Sequence, residues 1–188
     1  MSRLPYVSRE ELPPEKRHIY DRIADTRAAG KEAGVPNSFR ALLNSPDLAD
    51  ALASLGEYLR FRSSLDPVVR EMAVLSTAQV RGSEYEWAHH EPIARQVGVR
   101  EEVIEAIRSG RAPMGLPAKE GVFAQVAKEM AGQGTVSERT FQAVPHLLGP
   151  EQTVDLLVLI GYYTMLAGVL DALGVELEPG LKPGLPEG

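Results

Sequence analysis

The chain has 188 residues and a mass of 20.5 kDa, is 44% hydrophobic and 24% charged, and carries a formal net charge of -6 with a pI near 5.3. That is the balance of a globular chain able to bury a core, and with no block of Lys or Arg it offers phosphate backbones no attraction, so nucleic acid is not an expected partner. Cysteine is absent altogether, which removes disulfides, thiolate nucleophiles, Cys-ligated zinc and thiol redox cycling.

The N-terminal stretch MSRLPYVSREELPPEKR lacks the apolar centre of a secretory signal, which makes the cytoplasm the expected location. A first helix is predicted from Pro13 to about Ala33, where Ile19, Ile23 and Ala24 recur at helical spacing behind a Pro-Pro start and Gly34 with Pro36 ends the segment. SPDLADALASLGEYLRFRS reads as a second helix, with Ser45 as N-cap, Pro46 at the first helical position and an apolar stripe of Leu48, Leu52, Leu55 and Leu59. A third runs from the cap Asp66 to about Arg81, and because VVREMAVLSTAQV is apolar around most of its circumference it is expected to be central.

GSEYEWAHHEPIARQVG, Gly82 to Gly98, makes the fourth helix, REEVIEAIRSG a short fifth ended by Gly110, and AKEGVFAQVAKEMAGQG a sixth ended near Gly132. Ser137 to Leu148 supplies one more short helix, and Glu151 to Leu173, capped by Gly174, is the longest. Within it the apolar run Leu156–Leu170 lies between Asp155 and Asp171. Such a run falls short of the roughly 18–20 residues a bilayer span requires, so a buried core helix and no membrane partner are expected.

No segment alternates with period two, so the fold class is all-α. The expected organisation is a single domain over residues 1–174, with a helical extension over about 1–40 and a motif core over about 45–110, followed by a Pro/Gly-rich tail over 175–188 that is either poorly ordered or wrapped on the surface.

The fourth helix carries the candidate chemistry. On a helical wheel centred on Trp87, Ala94, Ser83, His90 and Val97 all fall within about 80° on one side, while His89 points about 100° further towards the polar side. Glu86 stands one turn before His90, within reach as an i,i+4 neighbour. On the third helix Glu71 shares a sector with Val68, Leu75 and Ala78 and is therefore expected to point inward. Two carboxylates and an imidazole in apolar surroundings must share protons or hydrogen bonds to be tolerable, and such sharing tunes titration towards acid/base work near neutral pH. A solvated charged face, or a satisfied structural network, has the same spacing and stays open on these residues alone.

REMAVLSTAQVRGSEYEWAHHEPIARQVGV resembles the core of the carboxymuconolactone decarboxylase family, which includes the alkylhydroperoxidase-D-like proteins. In the family's peroxidase branch a Glu is followed after twelve positions by Cys-x-x-Cys and then a His; here the matching positions are Glu71, Ser83, Glu86 and His90. Both cysteine positions hold residues that cannot form a disulfide, so thiol peroxidase activity is excluded. The resemblance implies an all-helical homo-oligomer, trimeric or hexameric, that needs no metal and no organic cofactor. It also implies an acid/base decarboxylase or related lyase acting on a small carboxylic acid or lactone derived from aromatic compounds. By the same analogy His90 is the proton donor or base, Glu86 its orienting partner and Glu71 a second carboxylate controlling protons.

An anionic substrate needs a cation that the motif does not name, and Arg81, Arg95 and Arg70 are the neighbouring candidates. Trp87 and His89 are further candidates for substrate contact, Trp87 being expected mainly to pack and His89 being the rival of His90. A metal held by Glu71, Glu86, His89 and His90 is chemically conceivable but lacks His-Glu-x-x-His spacing. Tyr162 and Tyr163 read as core aromatics within reach of a pocket; His18 and His146 read as surface and structural. A ligand-binding relic without turnover and a purely structural oligomeric module are the competing functions.

Overall fold

The computed structural model describes residues 2–27, 34–112, 114 and 116–186, and among these all regular structure is helical. The elements are α1 (Arg17–Arg27), α2 (Asn37–Leu42), α3 (Pro46–Glu57), α4 (Pro67–Arg81), α5 (Glu84–Val97), α6 (Glu101–Arg108), α7 (Ala118–Gln133) and α8 (Glu138–Leu173). They fall into two compact units, residues 1–62 with 170–180, and residues 63–169 with 181–188.

In the first unit α1 is preceded by a 3-10 turn, Pro14–Lys16, so the Pro-Pro start opens the element as expected, whereas residues 28–33 of its expected C-terminal part lie outside the described residues. The expected leucine stripe of α3 holds only in part: Leu59, just past the helix, is buried and Leu52 half-buried. Leu48 and Leu55 are 53% and 40% exposed, and the face that packs consists of Ala49, Ala53 and Gly56. Helices α1 and α3 pack together, Ile19 and Ile23 of α1 are buried, and small residues on α3 let the two backbones approach closely.

Helix α2 was not expected. Its first N–H, on Asn37, donates to the Glu178 carboxylate at 2.7 Å, an anion placed where the helix dipole is positive. Asn37 Nδ2 also donates to the Glu176 carbonyl, and the Glu176 N–H to the Tyr6 hydroxyl. The start of the tail is thus bound along its backbone.

In the second unit α4 packs against α5, α6 and α7, and the residues from Glu71 to Ala78 are all buried, as the uniformly apolar sequence requires. Asp66 caps α4 by accepting from the N–H of Val68 at 2.8 Å. Gly82 ends it in the left-handed conformation (φ 61, ψ 28), which only glycine adopts cheaply, and Ser83 at once caps α5. Met72, Leu75, Ala78, Trp87, Ala94, Val103, Ile104, Ile107 and Ala124 form one core cluster, against which Leu185 of the tail packs.

Helix α8 is two helical stretches meeting at Gly149, whose backbone is non-helical (φ 77, ψ 170), next to Pro150. By length and composition alone it is the one described helix that passes as a possible membrane span, and less than half of that apolar window is buried. Leu156, Leu159, Ile160, Tyr162, Tyr163 and Leu166 face the interior, while Val154, Val158 and Met165 are exposed.

Candidate active site

Helices α4 and α5 are joined only by Gly82 and Ser83, so they run back along each other and bring Glu71 and His90 to facing positions. His90 Nδ1 lies 2.7 Å from Glu71 Oε2, and His90 Nε2 lies 3.8 Å from Glu86 Oε2 one turn earlier on its own helix. Glu71, Glu86 and His90 are 1%, 6% and 4% exposed. The structure therefore brings together all three residues expected to carry the chemistry.

The two carboxylates have different relations to the ring. The 2.7 Å contact to Glu71 is a hydrogen bond; the 3.8 Å separation from Glu86 is an ion-pair distance too long for one. Glu71 also accepts on Oε1 from Arg70 Nε at 3.1 Å. Burial by itself pushes the Glu71 carboxyl up, but the charge of His90, the hydrogen bond from its ring and the Arg70 guanidinium outweigh burial and hold it below the ordinary range. An ionised carboxylate can only accept, so Nδ1 carries the proton and Nε2 is the nitrogen available for exchange.

The imidazole and the Tyr163 ring meet in a T-shaped arrangement, with centroids 4.9 Å apart and planes at 84°, and Tyr163 in turn contacts Tyr162 at 5.4 Å. Tyr163, read from the sequence chiefly as core, thus lies against the imidazole and helps exclude water from it, with Tyr162 packed behind.

The other expected contacts separate. Trp87 is fully buried in the core cluster with Nε1 donating to Glu91 Oε2 at 3.0 Å and Arg108 over its ring, so it packs and does not face a ligand. His89 is half-buried and lies over Tyr85, with centroids 4.5 Å apart. Arg81 is exposed in the last turn of α4, ten residues and hence about 15 Å along the helix from Glu71, which corrects its expected role beside the triad. Arg95 is engaged by Glu91 and Glu101 at the surface. Glu91, half-buried, would be raised by burial, but its hydrogen bonds from Arg108 and Arg95 hold it below the ordinary range.

Of the cations considered, only Arg70 touches the site. Spacing could not single it out, because neighbours at i,i+1 do not share a helix face; the contact exists because the long arginine stem wraps sideways onto Glu71. Among the described residues no three His, Asp or Glu side chains are grouped as metal ligands.

Comparison with known proteins places this geometry in context. Residues 46–129, which contain all three site residues, match the model of the carboxymuconolactone decarboxylase family. The fold is similar to an uncharacterised peroxidase-related protein with an alkylhydroperoxidase AhpD core from Ralstonia eutropha JMP134, at 20% identity over 95% of this chain and 93% of that one, TM-score 0.77. A second uncharacterised peroxidase-related protein, from Silicibacter sp. TM1040, is 18% identical over 95% and 92% with TM-score 0.73. A variant of the debrominase Bmp8 in complex with 2,3,4-tribromopyrrole is 14% identical over 88% and 87% with TM-score 0.70. At these identities the likeness establishes the fold alone. No curated protein matches the chain.

Proposed function

We propose that this chain, whose residues 46–129 match the model of the carboxymuconolactone decarboxylase family, is a cofactor-independent acid/base enzyme, a decarboxylase or related lyase acting on a small carboxylated lactone or aromatic-derived acid. The observation that carries the reading is the buried chain Arg70–Glu71–His90–Glu86, in which one imidazole nitrogen is fixed and the other is left for exchange. A structural ion pair needs only the first of these.

In the proposed reaction the C–C bond to the departing carboxylate breaks heterolytically, carbon dioxide leaves, and the electron pair delocalises into a conjugated carbonyl. The resulting enolate takes a proton from Nε2 of the His90 imidazolium, leaving the Nδ1–H imidazole, which regains its Nε2 proton from water, and the reaction needs no oxidant or reductant. Glu71 holds the ring in one tautomer, and Glu86 stabilises the imidazolium from ion-pair distance. The peroxidase-related neighbours suggest no competing thiol chemistry here, because the sequence has no cysteine to perform it.

The substrate is proposed as the only partner besides further copies of this chain; the exposed Val154, Val158 and Met165 on α8 support self-association, for which the family resemblance implies trimers or hexamers. The test is turnover of carboxylated lactones by the native chain and His90→Gln. Turnover lost in a variant with unchanged melting supports the reading; undiminished turnover in the variant sinks it. Binding without turnover in the native chain would point to a ligand-binding member of the family.

A further inference from the structure

Ser54, Thr77, Thr153 and Thr164 each return their hydroxyl to their own helix, donating to the carbonyl four residues earlier at 2.9, 2.8, 2.6 and 2.7 Å. Ser76, in the middle of α4, does not. It is only 4% exposed, yet its Oγ has no hydrogen-bond partner. Its side chain instead forms part of the wall of a small pocket between α4, α6 and α7. No residue lining that pocket belongs to the Arg70–Glu71–His90–Glu86 chain.

Two further polar side chains line the same pocket. The Gln79 amide, about one turn on from Ser76, lies against the backbone of Gly110, where an added Cβ would stand 3.1 Å from Nε2; a glycine leaves the amide room. Lys128 comes from α7. Neither side chain makes a hydrogen bond or ion pair to a described residue. Ile107, Ala112 and Ala124 make much of the remaining wall apolar, and no carboxylate lines it. The enclosed space is about one water molecule in size and opens to solvent.

A buried hydroxyl without a partner is costly, so an atom that accepts from Ser76 is stabilised in this pocket. The surroundings select its chemistry. The one charge on the wall is the Lys128 ammonium, which favours an anion over a neutral molecule, and partial removal from water strengthens that attraction. The space admits a single atom, which leaves out carboxylate and phosphate groups. The apolar part of the wall suits an ion that sheds its hydration easily and needs donors on one side only.

We propose that this pocket is a halide site, in which chloride accepts from the Ser76 hydroxyl and the Gln79 amide with Lys128 as its counter-charge. The ion joins α4 to α7 and, binding only the folded chain, stabilises the second unit. The proposal is independent of the acid/base reading.

The test uses the full chain, Ser76→Ala and Lys128→Gln. Crystals grown in sodium bromide are measured at the bromine absorption edge, where bromide gives an anomalous signal and water none. The native chain is expected to show a bromide peak within hydrogen-bond distance of Ser76 Oγ, and both variants to lose it. In solution, melting is compared in sodium chloride and sodium acetate of equal ionic strength, acetate being too large for the pocket. At about 0.2 M salt and a dissociation constant of about 20 mM, the chloride-minus-acetate difference in Tm should be about 3 °C larger in the native chain than in either variant. Water alone at the site in bromide crystals, a peak that survives in Ser76→Ala, the same Tm difference in all three proteins, or a peak without that difference, which would mark an adventitious ion only, each overturns the inference. Ser76→Ala removes a hydroxyl that has no partner and is expected to fold; should Lys128→Gln fail to fold, the native chain and the alanine variant still decide.

Discussion

His90 Nδ1 and Glu71 Oε2 stand 2.7 Å apart in the interior of the second unit, and the other oxygen of the same carboxylate accepts from Arg70. One carboxylate thus serves two donors on opposite sides. In Glu71→Gln the amide has a single acceptor oxygen. If that oxygen keeps the imidazole, the amide nitrogen is turned towards the Arg70 Nε–H, donor against donor. We expect a stability loss of about 1–3 kcal/mol in chemical denaturation and a drop in kcat of about 10–100-fold with little change in KM. An unchanged kcat would remove Glu71 from the scheme.

The same carboxylate makes a pH-dependent contribution. Burial raises it, but His90 and Arg70 more than reverse the effect, so its folded pKa lies below the ordinary 4.5. Between the folded and unfolded values the unfolded chain binds more protons, so stability rises with pH across that interval, is fully present above the unfolded value, and is lost as pH falls through the folded one. The difference in melting temperature between the native chain and Glu71→Gln should be constant from neutral pH down to about pH 5 and shrink below it. Subtracting the variant also cancels Glu91, whose pKa is lowered in both proteins. A difference that grows on acidification would contradict the assignment.

Gly184 lies against the indole of Trp87 so closely that an added Cβ would be 2.7 Å from Cδ1 and Nε1. The segment is held by Glu84, which accepts from the N–H groups of Gly184 and Leu185 at 2.8 and 3.2 Å, and by Arg108 on the Gly184 carbonyl. Since the ring is locked in the core, Gly184→Ala should displace the tail, with a cost of about 1–3 kcal/mol. Trp87 is the only tryptophan, so a red shift of its emission reports the displacement directly. Emission and stability equal to those of the native chain would show that the tail does not seal the indole.

The α1–α3 contact predicts an inversion of the usual expectation for hydrophobic residues. Leu55→Ala, on the exposed face, should change stability by less than about 0.5 kcal/mol, while Ala53→Leu should destabilise by about 1–3 kcal/mol because the two helices are too close to admit it. Denaturant midpoints of the two variants suffice, and a larger loss for the leucine truncation would restore the leucine stripe as the packing face.

These cases show what a reader of the sequence can and cannot see. The facing of His90 and Glu71 was legible because α4 and α5 are long and capped at both ends, so angular position follows from counting. In α3 counting placed Leu59 correctly but not Leu48 and Leu55, since leucine marks a buried face only when nothing demands a close backbone approach. The short α2 has too few turns to show a period, and its N-terminus is satisfied by Glu178, far away in sequence. The link between Arg70 and Glu71 escaped because it depends on a rotamer. Tyr163 was read as a core aromatic within reach of a pocket, and its contact with His90 could not be singled out because a buried tyrosine looks the same in the sequence whatever it touches.

The two-residue junction at Gly82 and Ser83 has one further consequence. Its brevity means that the contact between Glu71 and His90 spans only 19 positions. Closing so short a loop costs little chain entropy, and contacts of low sequence separation form early in folding. The helical hairpin carrying the proton-handling groups is therefore expected to be a local folding unit, in place before α8 delivers Tyr163 to cover it.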